Sequence, residues 1–415
     1  MKFNKWTLGL AAVGVVSLAS AAMADEKISA VQSALSSTTI SGYVSASAWW
    51  NPGTAGPNDT GYGAYPFIPY SAGKQDGFNL DVVKLSIEKP LDEADWAAGY
   101  KVDLLFGPDA NGLNTGSQGW TEQDFAIQQA YVALRVPVGN GIDAKFGVFN
   151  SIIGYESFDA GNNPNYTRSY GYGMEPTTHT GLLLTYRFND WFSAAFGVAN
   201  TYGPTINDKA HLSSYYDKSE SYKAYMGSIA LTAPESMGFL QGATLYAGMV
   251  NGYDSSMSDE LGNSRSRHNY YVGATFPTPV TGMKLGVAYD YTGMGDASDA
   301  DGFWANAVAG YVSWQVTEKL AAHLRGEYAW NDMSEPSSQW YYAGAGAESG
   351  VYLVYPDSVI AATATVDYAL WKNVISRLEF RWDHLAGGDY SYSSSDNMDS
   401  HENAFLIAAN IIYKF

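Results

Sequence analysis

The strongest constraint on the fold is a series of short segments in which apolar and polar residues alternate. In residues 319–330, Leu320 and Leu324 lie on an apolar face, whereas the opposite face carries Arg325 and Glu327. A period of two residues is typical of a β-strand with one apolar side. The chain contains sixteen such predicted strands, at 39–50, 77–89, 95–106, 124–136, 142–150, 179–188, 191–200, 222–232, 242–251, 267–276, 283–292, 304–315, 319–330, 358–370, 373–384 and 403–415.

The connections between these strands alternate between short and long. The long ones are 51–76, 107–123, 151–178, 201–221, 252–266, 293–303, 331–357 and 385–402. Loops are sorted in this way in a membrane barrel with an even number of strands, because all turns at one end are short. The predicted fold class is therefore all-β: residues 39–415 form a transmembrane antiparallel β-barrel of about 16 strands, with long extracellular loops and short periplasmic turns. A barrel of this size leaves an aqueous channel.

The last strand ends the chain on an apolar face. The residues of that face are Ile407, Ala409, Ile411, Tyr413 and Phe415. This segment resembles the terminal recognition strand of bacterial outer-membrane proteins. We expect its apolar face to contact lipid and the barrel-assembly machinery to bind it.

The N-terminus predicts export. Lys2 and Lys5 precede an uncharged stretch that is short for a membrane-spanning helix, and Ala22-Met23-Ala24 has the small-residue pattern of a cleavage site. We interpret residues 1–24 as a signal peptide and residues 25–38 as a short periplasmic lead segment. The expected location is the bacterial outer membrane.

Several classes of chemistry are disfavoured by composition and motifs. The chain has no cysteine, which excludes disulfides and thiolate metal sites. A net charge of -19 argues against nucleic-acid binding. The chain has no GxSxG, HExxH or phosphate-loop motif, and the neighbours Asp383 and His384 point to opposite faces of a strand. We therefore expect no enzyme activity, no cofactor and no metal site.

The negative charge is concentrated in the predicted external loops. The eight long loops hold 24 acidic and five basic residues. An acidic mouth enriches cations, which predicts a mild preference for cations. Two alternatives stay open: the acidic residues serve solubility, or they bind lipopolysaccharide through divalent ions.

Charged residues also recur on the faces predicted to line the lumen. Such side chains need water or mutual pairing, so they line a wet pore or form salt bridges along its wall. The pore-wall candidates are Lys84, Lys101, Asp103, Arg135, Lys145, Arg187, Asp290, His323, Arg325, Glu327, Arg377, Glu379, Arg381 and Asp383.

The third long loop, residues 151–178, differs from the later ones because it is dense in Gly, Asn, Pro and Tyr. By its position it resembles the third external loop of general porins, which folds into the barrel and narrows it. The constriction candidates that this resemblance implies are Glu156, Asp159, Arg168 and Glu175. The alternative is an external loop that contacts lipopolysaccharide.

Several longer motifs are similar to the OmpL-like beta-barrel porins. The resemblance covers most of the mature chain and is strongest in residues 74–205. The motifs are KQDGFNLDVVKL at 74–85, GPDAN at 107–111, DFAIQQAY at 124–131, GNNPN at 161–165 and EPTTHTG at 175–181. The family implies an outer-membrane barrel for passive transport, and the porin resemblance implies a homotrimer.

Together these observations predict an outer-membrane porin. We expect a water-filled channel for passive diffusion of small hydrophilic solutes and ions. The alternatives are a substrate-specific channel, for example for sugars, and a structural or adhesive barrel without transport.

Overall fold

The computed structural model describes residues 37–52, 65–66, 74–92, 94–113, 115–116, 124–210, 222–258, 264–295, 302–332, 353–354, 357–387, 392–393 and 400–415. The predicted signal peptide and all of the lead segment up to residue 36 lie outside the described residues.

Sixteen antiparallel strands form one closed barrel, in which each strand pairs with its neighbours in sequence and the last strand pairs with the first. The strands are β1 Thr39–Trp50, β2 Gly77–Lys89, β3 Ala98–Phe106, β4 Phe125–Val136, β5 Ile142–Asn150, β6 Thr178–Arg187, β7 Phe192–Ala199, β8 Ala224–Thr232, β9 Thr244–Ser258, β10 Ser264–Pro277, β11 Met283–Met294, β12 Phe303–Gln315, β13 Leu320–Asn331, β14 Ser358–Trp371, β15 Val374–Gly387 and β16 Asn403–Lys414. The predicted fold class is confirmed.

Each of the sixteen barrel strands overlaps a predicted one, but the β9–β10 hairpin is taller than expected. The sequence predicted a loop at 252–266, whereas β9 continues to Ser258 and β10 begins at Ser264. That prediction was wrong because residues 252–258 show no apolar alternation, although the backbone ladder continues. Near the top of this hairpin, Arg267, which lies opposite Gly252, forms a buried ion pair of 3.2 Å with Asp254.

The two faces of the barrel wall differ along each strand. In β14, Ile360 and Val366 are exposed on the outer surface, whereas Thr363 and Thr365 are buried on the inner side. The same alternation places Ile411, Tyr413 and Phe415 of the terminal segment on the outer surface. An apolar outer surface around a closed ladder suits a lipid environment, because no strand edge is left unpaired.

The barrel closes where β1 pairs with β16. Gly42 and Phe415 exchange two backbone hydrogen bonds of 3.0 Å, so the ladder continues to the last residue. Ala46 and Ala48 of β1 lie opposite Ile411 and Ala409 of β16. The terminal strand is thus integral to the wall.

The remaining elements are short. Helices α1 (Pro108–Leu113) and α2 (Tyr170–Met174) and the 3₁₀ turns Ala160–Asn162 and Glu235–Leu240 are at most six residues long. Two-residue strand pairs join Tyr65–Pro66 to Leu353–Val354 and Tyr392–Ser393 to Ser400–His401. Within the described ranges, no helix has the length and apolar character needed to cross a membrane.

Candidate functional site

Residues 151–178, which we call the internal loop, leave the wall after β5 and return to it at β6. The amide of Ser151 donates to the carbonyl of Thr177 at 2.9 Å, so the two ends of the loop meet in a narrow neck. Between these ends the loop contacts inward side chains of β1, β2 and β9 to β16, and it therefore lies inside the barrel. Ser169 caps α2 by accepting from the amide of Tyr172 at 3.0 Å.

Apolar contacts attach the internal loop to the side of the barrel formed by β5 to β12. Ile152 and Ile153 belong to a buried cluster with Phe149, Leu183, Met226, Tyr271 and other apolar residues of these strands. Ile153 lies over Gly248, where an added Cβ would lie 2.7 Å from its Cγ2 atom. Tyr155 stacks on Tyr311 with ring centroids 4.0 Å apart.

Buried arginines bind the internal loop on the opposite side. The Arg325 guanidinium donates to the carbonyls of Thr167 at 2.9 Å and Arg168 at 3.1 Å. Arg381 donates to the same Arg168 carbonyl at 2.7 Å and pairs with Asp383 at 2.8 Å. An irregular backbone inside a barrel needs such partners, because an unpaired buried carbonyl is costly.

Two wall carboxylates bind the backbone amides of the same segment. Glu379 accepts from Tyr166 at 2.6 Å and Thr167 at 2.9 Å, and Glu327 accepts from Tyr170 at 2.7 Å. All five residues are buried or nearly so. Hydrogen bonds to charged groups are roughly twice as strong as neutral ones, so these wall charges fix the position of the loop backbone.

A third group of contacts holds the part of the loop around Asp159. Lys84 of β2 bonds to the Asp159 carboxylate at 2.8 Å. Arg377 of β15 donates to the carbonyls of Ala160 at 2.6 Å and Asn163 at 2.8 Å. The internal loop is thus attached to β2 and β15 as well as to β13.

Tyr166 anchors the loop to β1 and β2. Its hydroxyl donates to Asp81 at 2.9 Å and accepts from the indole of Trp49 at 2.9 Å. Asp81 also accepts from Ser45 at 2.8 Å and Ser47 at 2.7 Å. Burial, and secondarily the Asp81 carboxylate, raise the pKa of Tyr166 well above its usual range, so the hydroxyl stays a donor.

A cavity of about 1020 Å³ lies beside the internal loop and extends toward the periplasmic ends of β8 to β15. We call it the vestibule. From the loop, Tyr155, Phe158, Tyr172 and Glu175 line it. From the wall, its lining includes Thr244, Thr275, Lys284, Ser313, His323 and Arg377. Aromatic rings line the vestibule from both sides, because the wall adds Tyr246 and Tyr271, and both sides also contribute polar and charged groups.

With this geometry in place, comparison with known proteins identifies the family. Residues 37–415 match the family described as putative beta-barrel porin-2, OmpL-like. The chain belongs to this family. It is accordingly a protein of the bacterial outer membrane, and the OmpL-like resemblance seen in the sequence is confirmed.

Solved structures share the barrel fold at low sequence identity. An anion-selective porin from Comamonas acidovorans superimposes with a TM-score of 0.56 at 13% identity, covering 91% of this chain and 99% of that one. The outer-membrane channel DcaP of Acinetobacter baumannii gives 0.55 at 15% identity, with 91% and 97% covered. OmpT of Vibrio cholerae in a trimer form gives 0.54 at 11% identity, with 91% and 99% covered. Among curated proteins, no significant match is found.

The four constriction candidates occupy different environments in this OmpL-like barrel. Glu156 is buried and bonds to Arg325 at 2.9 Å, and Asp159 bonds to Lys84. Arg168 is fully buried and donates to carbonyls of the loop itself, so its guanidinium holds the loop together. Glu175 lines the vestibule. Their role in permeation stays a prediction.

The pore-wall candidates separate into two groups. One group contacts the internal loop or the vestibule: Lys84, Asp290, His323, Arg325, Glu327, Arg377, Glu379, Arg381 and Asp383. The other lies along β3 to β6 among charged or aromatic neighbours: Lys101 with Glu88, Asp103 with Lys84, Arg135 with Asp143, Lys145 over the Tyr131 ring and Arg187 with Asp190. Mutual pairing, left open by the sequence, therefore accounts for many of these charges.

Sequence reasoning missed Asp81, although a signal for it was visible. The predicted alternation in β2 slips at Val82-Val83, and the structure has a β-bulge there, with Ser45 paired to Val82 and Ala46 to Leu80. Asp81 is the extra residue. The bulge turns its carboxylate inward next to Val82, where it meets the internal loop.

Proposed function

We propose that this protein is a porin whose water-filled channel lets small hydrophilic solutes and ions diffuse passively, and that the internal loop narrows this channel. The observation that supports this most is the attachment of the loop across the barrel interior. Charged groups of β13 and β15 hold its backbone on one side, and the vestibule lies beside it. A barrel with a loop fixed in this way can pass solutes and still exclude large ones.

Liposome swelling with sugars of graded size, together with single-channel conductance, tests this proposal. Uptake that decreases steadily with solute size supports a general pore. Absence of both swelling and conductance in correctly folded protein would overturn the proposal. Heat-denatured protein, added to the same vesicles, is the control for leakage.

We further propose a mild preference for cations. Acidic residues outnumber basic ones in the predicted external loops, whereas many wall charges are paired and contribute little net charge. The Comamonas porin of similar fold is described as anion-selective, so the fold alone does not determine the sign. The reversal potential across a planar bilayer in a salt gradient tests the preference, and a value showing anion selectivity contradicts it.

A substrate-specific channel is the second candidate, because aromatic side chains of Tyr155, Tyr172 and Tyr246 line the vestibule. Sugar rings bind to such faces through apolar C–H surfaces. Preferred uptake of one sugar class in the swelling assay, irrespective of size, supports this candidate over the general pore.

Three partners belong to the same proposal. We infer a homotrimer, a form in which the Vibrio protein of similar fold is described. We also infer contact of the outer surface with lipid and lipopolysaccharide, and recognition of the terminal strand by the barrel-assembly machinery. Mass measurement of the detergent-extracted complex tests the trimer. Replacement of the exposed Phe415 by Ala tests the recognition through the amount of assembled barrel.

A further inference from the structure

Two carboxyl groups meet where the internal loop returns to the wall. Glu175 stands three residues before β6, Asp290 lies on β11, and the two carboxyls are within hydrogen-bonding reach. The Glu175 carboxyl occupies the space beside Gly154 where a Cβ would stand, and the Asp290 carboxyl does the same beside Gly171. The loop backbone is therefore shaped around this pair, and Gly154 adopts a φ of 117°.

Among the residues that the structure describes, no basic group pairs with either carboxyl. The charged group that acts on both carboxyls is Glu156, whose own carboxylate binds Arg325. Arg267 on β10 approaches the adjacent Met174 carbonyl at 3.5 Å, but its guanidinium pairs with Asp254. The other titratable neighbours are phenols: Tyr172 of the loop, Tyr202 after β7, Tyr271 of β10 and Tyr289 of β11.

Two carboxyl groups can form a hydrogen bond only when one of them carries a proton, because an ionised carboxylate only accepts. Ionisation of both carboxyls at once is unfavourable, because two negative charges within hydrogen-bonding reach repel each other. Burial, followed by the Asp290 carboxyl, raises the pKa of Glu175 well above its usual range. Glu175 also lines the vestibule, so water can deliver or remove the proton.

We propose that the Glu175–Asp290 pair is a proton-dependent latch that holds the neck of the internal loop against β11 and makes channel opening depend on pH. This inference rests on the proposed role of the loop as a constriction. In the latched state the pair holds one proton and one negative charge. When vestibule water takes that proton, the O–H···O bond is lost and two adjacent carboxylates repel each other.

The direction of the pH effect follows from linkage. The docked loop binds more protons than the released loop, so docking is fully stable below the ordinary pKa of a glutamate, about 4.3. Its stability decreases as pH rises through the raised pKa of Glu175. Single-channel conductance is therefore expected to rise from mildly acidic to alkaline pH as the loop loosens.

The decisive experiment compares conductance over this pH range in the wild-type protein and in Glu175→Gln. The glutamine amide donates to the Asp290 carboxylate without a titrating proton, so the variant should stay latched and lose the rise in conductance. Glu318→Gln is the matched control, because Glu318 lines the vestibule but lies outside the pair. It should keep the wild-type pH profile.

A second variant and a second readout protect the test against a folding defect. Asp290→Asn should also lose the transition, because its amide donates to Glu175. Since the chain has no cysteine, Met174→Cys provides a single thiol at a buried position next to the latch. At alkaline pH, the thiol of Met174→Cys should be alkylated faster than the thiol of the Met174→Cys/Glu175→Gln protein. Both rates are measured at the same pH, so ionisation of the thiol affects them equally.

The outcomes separate this inference from the proposed function. Two outcomes overturn the latch but leave the proposed porin function unaffected. In the first, the pore conducts at all pH values without a transition. In the second, the transition persists in both Glu175→Gln and Asp290→Asn. Folded protein that never conducts overturns the proposed function; the latch is then judged by the alkylation rates, and equal rates in the two thiol proteins reject it.

Discussion

The internal loop is attached to the two sides of the barrel by different forces. Toward β5 to β12 it buries Ile152 and Ile153 in an apolar cluster, whereas toward β13 and β15 its backbone binds the side chains of Arg325 and Arg381. Apolar burial has no direction and tolerates small shifts, but charged hydrogen bonds lose strength quickly as their geometry changes. We infer that the apolar side supplies stability and that the charged side determines where the loop lies.

The largest effect is expected when the contacts of the Arg325 guanidinium are removed. Arg325→Met leaves the buried carboxylates of Glu156 and Glu327 without their arginine partner. Removing one member of a buried ion pair typically costs about 3–5 kcal/mol. We expect a lower urea midpoint of unfolding and a higher single-channel conductance, because the loop is released from β13. Unchanged conductance would show that the apolar side alone positions the loop.

A smaller effect is expected when the apolar side is weakened. Ile153→Ala removes buried methyl groups and should destabilise the protein by about 2–4 kcal/mol in urea unfolding. Conductance should change less than in Arg325→Met, since the charged contacts remain. Addition of Gly248→Ala, whose Cβ points at the vacated space, should recover part of the lost stability. A double variant less stable than Ile153→Ala argues against this packing.

The anchor at β1 and β2 should contribute less again. Asp81→Asn replaces a carboxylate that accepts from Ser45, Ser47 and Tyr166 by a group with one accepting oxygen. We expect a loss of about 1–3 kcal/mol, the usual cost of unsatisfied buried polar groups. Tyr166→Phe is the matched variant from the loop side, and the two losses should not add fully, because both remove the same bond.

The smallest effect is expected at the rim of the barrel. Arg187 pairs with Asp190, whose side chain is 89% exposed. Arg187→Met should change stability by roughly 0–1 kcal/mol and leave conductance unchanged, because exposed ion pairs are screened by water. A loss of stability as large as that of Arg325→Met would mean that the number of charges in the wall, and not their burial, determines its stability.

Strands were predictable because their signal is local. The alternation of Leu324 and Arg325 indicates which side of the wall each residue faces. A shift of the register by one residue would exchange the two faces. The same rule explains the failure in the β9–β10 hairpin. Residues 252–258 lack an apolar face, so the sequence there had no alternation to reveal a strand.

The contacts of the internal loop were less predictable. The sequence indicated that the loop is unusual and that Arg325, Glu327 and Arg381 face inward. It could not show that these side chains bind the loop, because Arg325 and Thr167 are 158 residues apart. Partners at that separation share no periodicity, and a single sequence carries no covariation that would relate them.

The sixteen-stranded barrel and its orientation could be read from the amino-acid sequence, because alternation and loop length are properties of neighbouring residues. The use of the inward charges depends on the folded barrel, because their partners are distant in the chain. Closing the wall brings β13 and β15 across from a loop that begins at β5, and the unpaired polar groups of that loop then select their partners. The same closure places Glu175 against Asp290, where the two carboxyls form a hydrogen bond only when one of them carries a proton.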